Sequence, residues 1–504
     1  MPGPLRLARV ACGVLLVLAI VARPSAAQDD LRAGYQQFYG GDIEGARRVF
    51  DGLLAATPGR LAARFGLLNI LEKQTDNNHA LEPEFEKQLD AFIADAEARY
   101  GRSEKDDEAL FYVANAFLVR AAYRVDHDKG VWGAARDGAR SKRYIDTYVK
   151  RHPEHGDAYF ALGVYDYYVE IAPAFIKFIR PLLFLPAGDR AGGLKQLERA
   201  YTQGSLFSFQ AGTLLAEIYG TYEGRPEDGA RIGEQLVQAY PGNPDVAFDL
   251  AQLYMAPALE DYGKASAQYE RVIASELRRP EPRGVLYRAR LGLVQALQQQ
   301  WRLDDAIAML TATIDAAPSK PDWAMPNFLN RRGNLRAMAG DPAAAEDARR
   351  VLAEPKWSAQ HKSATELLGW IEARRASGEA AAYTSLIRGN RLVVERRWDE
   401  AAAAYEPVRR ERPNDPQVRY RLMLLQFARG DAAGASGAAS ALANDRTAPS
   451  WLRAQSLLVV ARAQDLAGQR EPAKKTYQRV VDNYEHESAA WPARVGLVTP
   501  YRRR

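Results

Sequence analysis

Residues 34–58 read GYQQFYGGDIEGARRVFDGLLAATP, and residues 389–413 read GNRLVVERRWDEAAAAYEPVRRERP. Both stretches carry a glycine, an alanine, an aromatic residue and a proline at the same spacing: Gly34, Ala46, Phe50 and Pro58 in the first, and Gly389, Ala401, Tyr405 and Pro413 in the second. Parts of the pattern recur elsewhere: Ser141, Ile145 and Pro153; Gly193, Leu197 and Ala200; Ala306, Leu310 and Pro318; Gly333 and Ala345; Ala473, Tyr477 and Val480. An internal repeat of this kind decides the fold.

The spacing is typical of a hairpin of two α-helices. The glycine lies on the first helix and the alanine on the second, and both are small because the two axes cross closely there. The aromatic side chain one turn later shares the helix face of the alanine, so we expect it to fill the gap to the next hairpin. The proline ends the second helix. Gly41-Asp42 and Gly340-Asp341 predict turns in which the glycine stops one helix and the aspartate caps the next.

These residues resemble the tetratricopeptide repeat. The resemblance implies an all-α, right-handed superhelical solenoid of about ten antiparallel helix hairpins, with a period of about 34 residues, between Leu31 and Tyr484. The match is poorer between Leu81 and Lys129, and again between Trp357 and Gly378, which looks like one long helix without an obvious partner. We therefore expect an N-terminal solenoid over residues 28–355, an irregular connecting helix over 356–380, C-terminal repeats over 381–490 and a basic tail over 491–504.

Length and composition indicate a folded repeat array. The chain has 504 residues, more than one compact core usually needs, and its 47% hydrophobic and 26% charged residues are ordinary globular values. The formal net charge is +5, but three of the positive charges (Arg6, Arg9 and Arg23) lie in the first 27 residues, which leaves +2 for the rest. There is no long lysine or arginine run, so the sequence favours a partner other than a nucleic acid.

The first 27 residues have the pattern of a signal peptide. Arg6 and Arg9 precede an uncharged apolar stretch from Val10 to Val21, and Ser25-Ala26-Ala27 offers a cleavage site before Gln28. The alternative is an uncleaved anchor, but the apolar run is shorter than the about 20 residues of a membrane span. We expect export, to a bacterial periplasm first and to the medium second. The single cysteine, Cys12, would be removed, which excludes disulfides, cysteine zinc sites and thiol catalysis.

A second, narrower resemblance lies in the middle of the chain. Residues 157–201 read DAYFALGVYDYYVEIAPAFIKFIRPLLFLPAGDRAGGLKQLERAY. A proline-bearing apolar stretch followed by Gly188-Asp189-Arg190 and Gly193-Leu194 resembles a group of bacterial exported repeat proteins. It is distantly similar to the eukaryotic family that includes the yeast inclusion-body clearance protein. The resemblance implies a scaffold or adaptor. Prolines and charges interrupt Phe175–Leu185, so it predicts either a buried helix extension or a lip that makes peripheral contact with a membrane or partner helix.

Motifs that carry chemistry are not evident. The sequence has no phosphate-binding glycine loop, zincin helix or nucleophile elbow. The best metal candidate is the run His152-Pro153-Glu154-His155-Gly156-Asp157, with His127 as a further ligand, since imidazole and carboxylate suit zinc. Pro153 stands at the linker position of the repeat, however, so we expect an inter-hairpin turn with solvated histidines. The sequence therefore predicts no metal, no cofactor and no enzymatic activity.

The predicted function is that of a scaffold which binds a protein or peptide in a concave groove. The first helices of stacked hairpins line such a groove. Helical spacing selects two sets of groove residues: Phe160, Tyr167 and Tyr168 on one hairpin, and Asn327, Asn330, Arg331 and Asn334 on another. The alternative is that the aromatics belong to the core and the asparagines are simply solvated. Two other functions remain open at this stage, an envelope enzyme with an unrecognised site and a structural role at the outer membrane.

Overall fold

The computed structural model describes residues 26–76, 78–171, 186–279, 282–316, 323–377 and 380–503. Within these ranges the chain is built of α-helices with short 3-10 turns and has no strand. Consecutive helices pack as antiparallel pairs, which confirms the predicted all-α solenoid of helix hairpins. The predicted signal peptide lies outside these ranges except for Ala26 and Ala27. The Phe175–Leu185 stretch lies outside them entirely.

The N-terminal part contains eight hairpins. They are α1 (Ala26–Tyr39) with α2 (Ile43–Ala56), α3 (Leu61–Thr75) with α4 (Glu82–Arg102), α5 (Asp107–Asp126) with α6 (Val131–Arg151), α7 (Ala158–Ile171) with α8 (Arg190–Gln203), α9 (Ser208–Thr221) with α10 (Pro226–Ala239), α11 (Pro244–Met255) with α12 (Tyr262–Glu276), α13 (Gly284–Gln299) with α14 (Leu303–Asp315), and α15 (Ala324–Ala339) with α16 (Ala344–Leu352).

A single helix and three more hairpins complete the chain. Helix α17 (Ser358–Ser377) is followed by α18 (Ala380–Val394) with α19 (Trp398–Glu411), α20 (Pro416–Arg429) with α21 (Ala432–Ala443), and α22 (Ser450–Leu466) with α23 (Arg470–Asn483), and the last helix is α24 (Ala490–Val498). The described residues therefore form eleven hairpins, close to the predicted ten.

The repeated residues lie where the spacing predicts. Ala46 and Phe50 are fully buried, and a Cβ atom built on Gly34 would lie only 2.6 Å from the Phe50 ring, so the α1–α2 crossing requires a glycine. Gly41 adopts a positive φ of 86°, and Asp42 caps α2 by accepting the backbone N–H of Gly45. The turn chemistry read from Gly41-Asp42 is therefore confirmed.

The two stretches that match the repeat poorly are also helical. Helices α4 and α5 have 21 and 20 residues, longer than most others, which displaces the pattern residues from their usual spacing. Helix α17 has a partner, contrary to the sequence interpretation, because Ala364 and Leu367 are buried and Leu367 lies against Gly333 of α15. The division of the chain within residues 356–380 stays a prediction.

The solenoid coils far enough for its successive turns to touch. The side-chain amide of Asn243 donates to the carbonyl oxygen of Tyr39 at 2.8 Å, and the Arg462 guanidinium meets the Glu260 carboxylate at 2.5 Å. Each pair joins residues about one superhelical turn, some 200 positions, apart in the chain. None of the described helices combines the length and apolar character that a membrane crossing needs.

Candidate functional site

A cavity of about 390 Å³ opens between the first helices of four hairpins, and we call it the interior cavity. It is lined by Lys73, Thr75, Asp76, His79, His127, Asp245, Phe248, Asp249, Val285 and Arg288. These residues come from the end of α3 and the 3-10 turn at His79–Leu81 after it, from the end of α5, and from the starts of α11 and α13. Because first helices line the concave side of a repeat solenoid, the cavity lies on the surface where the sequence predicts a groove.

Local structure fixes the side chains at the mouth of this cavity. Asn243 caps α11 by accepting the backbone N–H of Asp245, and Pro244 occupies the first helical position. This start aims Asp245 at the end of α3, where the Lys73 ammonium lies 3.2 Å from Asp245 and 2.8 Å from Asp76. The Lys73–Asp245 ion pair therefore joins the second hairpin to the sixth across the cavity.

Asp249 in the cavity lining and three carboxylates that interact electrostatically with lining residues, Glu72, Asp126 and Glu217, have raised pKa values, and we call these four the interior carboxylates. Burial raises the pKa of Glu72 to about 7, with further contributions from the charges of Asp76 and Asp126. Burial and the charge of Asp245 raise the pKa of Asp249 to about 6, although its side chain is solvent-accessible within the cavity. The surrounding walls exclude much of the bulk water that would otherwise stabilise the ionised form.

The interior carboxylates influence one another across hairpins. Burial raises the pKa values of Asp126 and Glu217, and the charge of Asp126 raises that of Glu217 further. Lys73 and Arg288 oppose the raised pKa of Asp249 but do not cancel it. The lining itself holds Asp76, Asp245 and Asp249 against Lys73 and Arg288, so its acidic groups are only partly neutralised. Such a surface attracts cationic groups.

The structure separates the three aromatic residues of the predicted groove. Tyr167 is fully buried, and its hydroxyl donates to Glu223 at 2.6 Å, so this residue belongs to the core. Its inclusion in the groove is corrected, because the close α7–α8 crossing turns it between the helices. Tyr168 keeps partial exposure beside Tyr222, and Glu217 and Asp126 add to the effect of burial in raising its pKa. Phe160 is half-buried against Phe207.

The second predicted set forms a stripe on α15. Asn327, Arg331 and Asn334 retain exposure on one face, whereas Asn330 is buried and donates to the carbonyl oxygen of Gln360 at 3.3 Å. Asn330 is thus corrected from groove to packing residue, because α17 covers it. Asn327 and Asn334 bond to carbonyl oxygens of their own helix, and Arg331 donates to Gln298 at 3.3 Å. Burial lowers the pKa of Arg331.

The histidines of the candidate metal run have structural partners. His152 lies 2.8 Å from Asp107, and His155 lies 2.8 Å from the hydroxyl of Tyr148, so both join the turn to neighbouring helices. His127 stacks on Tyr123 at the end of α5 and does not share these partners. No group of three or more histidine, cysteine, aspartate or glutamate side chains suited to a metal ion occurs in the described part of the chain.

Sequence reasoning missed the interior carboxylates. They are spread from residue 72 to residue 249, and acidic residues are too common for their recurrence on first helices to stand out. Only the coiling of the hairpins brings Asp249 into the cavity and the charges of the other three near its lining.

The fold and its repeats define a class of protein. Residues 386–449 match the family model of the tetratricopeptide repeat, TPR_16, and the rest of the described chain is built of the same kind of helix hairpin. The described chain is an array of helix hairpins, and residues 386–449 within it are similar to tetratricopeptide repeats. Solenoids of this class present extended concave surfaces that bind other proteins and generally serve as non-catalytic scaffolds.

Known structures of low sequence identity are similar over long stretches. They include a human IFIT1 dimer with m7Gppp-AAAA (13% identity, 77% of this chain and 90% of that one, TM-score 0.33) and yeast Tom70 (12%, 91% and 97%, TM-score 0.29). A third is Naa15/Naa10 bound to HypK-THB (12%, 94% and 74%, TM-score 0.28). A comparison with curated protein sequences gives no match.

Proposed function

We propose that this protein is a scaffold that binds an extended protein segment carrying lysine or arginine side chains in its interior cavity. The observation that carries the proposal is a cavity lined by Asp76, Asp245 and Asp249, with the charges of Glu72, Asp126 and Glu217 acting on or near that lining. Carboxylates recognise guanidinium and ammonium groups through charge-assisted hydrogen bonds. A bound cation would stabilise the ionised form of these carboxylates, whose pKa values are raised by burial and, to a smaller extent, by neighbouring acidic groups.

The surroundings of the cavity suit a peptide chain. Phe248 lines it, and half-buried Tyr168 lies near Glu217, so apolar area is available next to the charges. The exposed stripe of Asn327, Arg331 and Asn334 lies one hairpin further along and offers amide and guanidinium groups to a peptide backbone. The same carboxylates would repel a phosphate backbone, which supports a protein partner over a nucleic acid.

The test compares ligands and variants. A labelled peptide with alternating lysine, arginine and aromatic residues should bind, whereas an acidic peptide of the same length and a single-stranded RNA should not. The double variant Glu72→Gln with Asp249→Asn should weaken peptide binding by about tenfold, because it removes two of the attracting charges. Asp51→Asn with Asp304→Asn, on exposed positions of second helices, is the matched control and should leave binding unchanged. Preference for RNA, or equal loss in both double variants, would contradict the proposal.

A second candidate function rests on the same carboxylates. Glu72 and Asp249, with pKa values of about 7 and about 6, could exchange protons near neutral pH, as the acid and base groups of an enzyme do. We prefer the scaffold because helix-hairpin repeats are typical of interaction proteins. Turnover of envelope glycans or peptides that Glu72→Gln abolishes, without loss of binding, would instead favour the enzyme.

We further propose that the protein is exported and processed before Gln28. Helix α1 begins at Ala26, so cleavage there would remove only its first two residues and leave the buried Leu31 and Tyr35 in place. Amino-terminal sequencing of periplasmic protein should start at Gln28, and recovery only from the cytoplasm with Met1 or Pro2 first would contradict export. Peripheral membrane contact through Phe175–Leu185 also stays a proposal, tested by co-sedimentation with lipid vesicles.

A further inference from the structure

A second cavity, of about 950 Å³, lies between the middle hairpins and the C-terminal repeats, and we call it the inter-turn cavity. Its lining includes Glu260 and Tyr262 from one turn of the solenoid and Trp398, Phe427 and Arg462 from the next. Residues 499–503, which follow α24 in a non-helical conformation, form part of its wall. The predicted basic tail is therefore packed against the repeats rather than extended into solvent.

Tyr501 is held at both its backbone and its ring. Its backbone N–H donates to the Asp465 carboxylate at 2.8 Å, and the Asp465 side chain is itself fully buried. Its ring lies with its centroid 4.7 Å from the Arg462 guanidinium carbon and 5.9 Å from the Phe427 ring. Contacts of a ring with a guanidinium and with a second ring each contribute favourably to binding.

Arg503 is seated at a helix end. Its guanidinium donates to the carbonyl oxygen of Ala428 in the last turn of α20, where an added cation also interacts favourably with the helix dipole. Gly430 follows with a φ of 101°, and a Cβ atom there would overlap the Arg503 guanidinium. The space that receives Arg503 thus depends on a glycine.

The opposite side of the cavity is within reach of the same segment. A Cβ atom on Gly224 would lie 2.9 Å from the Thr499 hydroxyl oxygen, so this threonine touches the fifth hairpin. Arg462, whose guanidinium lies against the Tyr501 ring, also pairs with Glu260 at 2.5 Å. The segment Thr499–Arg503 therefore contacts two turns of the solenoid at once, as a peptide bound in a groove would.

We propose that the inter-turn cavity is a peptide-binding site, separate from the interior cavity, for an extended segment with an aromatic residue followed by basic residues. In this structure the chain's own Thr499–Arg503 occupies one side of this site and forms part of the cavity wall. The segment is recognised through three contacts. Its backbone N–H donates to the buried Asp465 carboxylate, its aromatic ring lies against the Arg462 guanidinium, and its arginine donates to the carbonyl end of α20. A partner segment of the same chemistry competes with the internal one, and the inference does not depend on the function proposed above.

The test uses the peptide VTPYRRR, residues 498–504, with a fluorescent label and anisotropy as the readout. A chain ending at Val498 should bind it. The full chain should bind at least about tenfold more weakly, because its own segment is present at an effective concentration on the order of millimolar. The same peptide with alanine for Tyr501 should lose about tenfold in affinity. Failure of the shortened, helical chain to bind, or equal binding by both chains, would overturn the proposal.

Variants of the full chain provide an independent arm that needs no truncation. Tyr501→Ala should free the site and bring peptide binding close to that of the shortened chain. Arg494→Ala, at an exposed position of α24, is the control and should behave as the unchanged chain. If Tyr501→Ala binds the peptide no better than the control does, the internal segment does not occupy a binding site.

Discussion

Phe50 lies between two glycines, Gly34 on its own hairpin and Gly66 on the next. A Cβ atom on either glycine would lie 2.6 Å from the Phe50 ring. Tyr405 and Tyr477 make the same close approach to Gly389 and Gly496. One ring therefore fills the crossing within a hairpin and the joint to its neighbour, which is why a single aromatic and a single glycine recur along the sequence.

A substitution at Ala401 tests this packing. It is fully buried at the α18–α19 crossing, so Ala401→Trp should destabilise the C-terminal repeats by roughly 1–3 kcal/mol through overpacking. Ala403→Trp, at an exposed position of the same helix, is the control. Thermal unfolding followed by circular dichroism measures both, and an unchanged melting profile for Ala401→Trp would remove Ala401 from the crossing.

The ionised form of Glu72 should lower the stability of the folded chain above neutral pH. Its pKa is raised from an ordinary value near 4.5 to about 7, so the folded chain binds a proton more tightly than the unfolded one. Stability from this group is therefore present at low pH and is lost as the pH rises toward 7. Glu72→Gln should raise the Tm at pH 8 and change it little at pH 5. A larger gain at pH 5 than at pH 8 would contradict the assignment.

At the scale of the element, Asp157 joins one hairpin to the next. It lies at the start of α7, yet its carboxylate accepts the backbone N–H groups of Ser205, Leu206 and Phe207 at 2.8–2.9 Å, just before α9. Burial would raise its pKa, but the hydrogen bonds from His155 and these three N–H groups outweigh burial and lower it. The side chain is almost completely buried, so no water could replace these bonds.

Asp157→Asn should therefore destabilise the joint between the fourth and fifth hairpins. The expected loss is about 1–3 kcal/mol at pH 7, since the amide offers one acceptor where the carboxylate offers two. A lowered pKa contributes stability above the unfolded value, near 4, and this contribution is lost as the pH falls through the folded value. Urea unfolding should thus show the two chains diverging at pH 7 and converging in acid. Equal stability at pH 7 would refute the role of the carboxylate.

At the scale of the whole molecule, contacts between successive turns shape both cavities. The Lys73–Asp245 pair borders the interior cavity, and the Arg462–Glu260 pair borders the inter-turn cavity. Neighbouring hairpins alone would leave the solenoid free to stretch, because each repeat contacts mainly the next one. Bonds across a full turn fix the pitch and, with it, the width of each cavity.

Asn243→Asp tests one of these bonds selectively. The aspartate keeps the cap on α11 but cannot donate to the carbonyl oxygen of Tyr39. Hydrogen exchange should become faster in residues 36–42, with the opening free energy there falling by about 1–3 kcal/mol, while α11 keeps its protection. Asn243→Ala, which loses the cap as well, should expose both regions. Unchanged hydrogen exchange at residues 36–42 would show that the bond from Asn243 to Tyr39 does not stabilise the contact between the two turns of the solenoid.

The helix-hairpin class follows from the amino-acid pattern alone. Glycine, alanine, aromatic and proline residues at fixed spacing specify a helix hairpin, because these preferences act within one or two turns of helix and across a single crossing. The Gly41-Asp42 turn, the packing of Phe50 and the burial of Ala401 all follow from such local geometry.

Which side chains are buried and which stay exposed depends on the packing of the helices in three dimensions. Tyr167 and Tyr168 are adjacent, and the angle at which α7 crosses α8 sends the first into the core and leaves the second partly exposed. Lys73 meets Asp245, and Tyr501 meets Arg462, through the coiling of the array. That coiling sums a small rotation at every hairpin joint, so it depends on all the packing between distant residues and leaves no local pattern in the sequence.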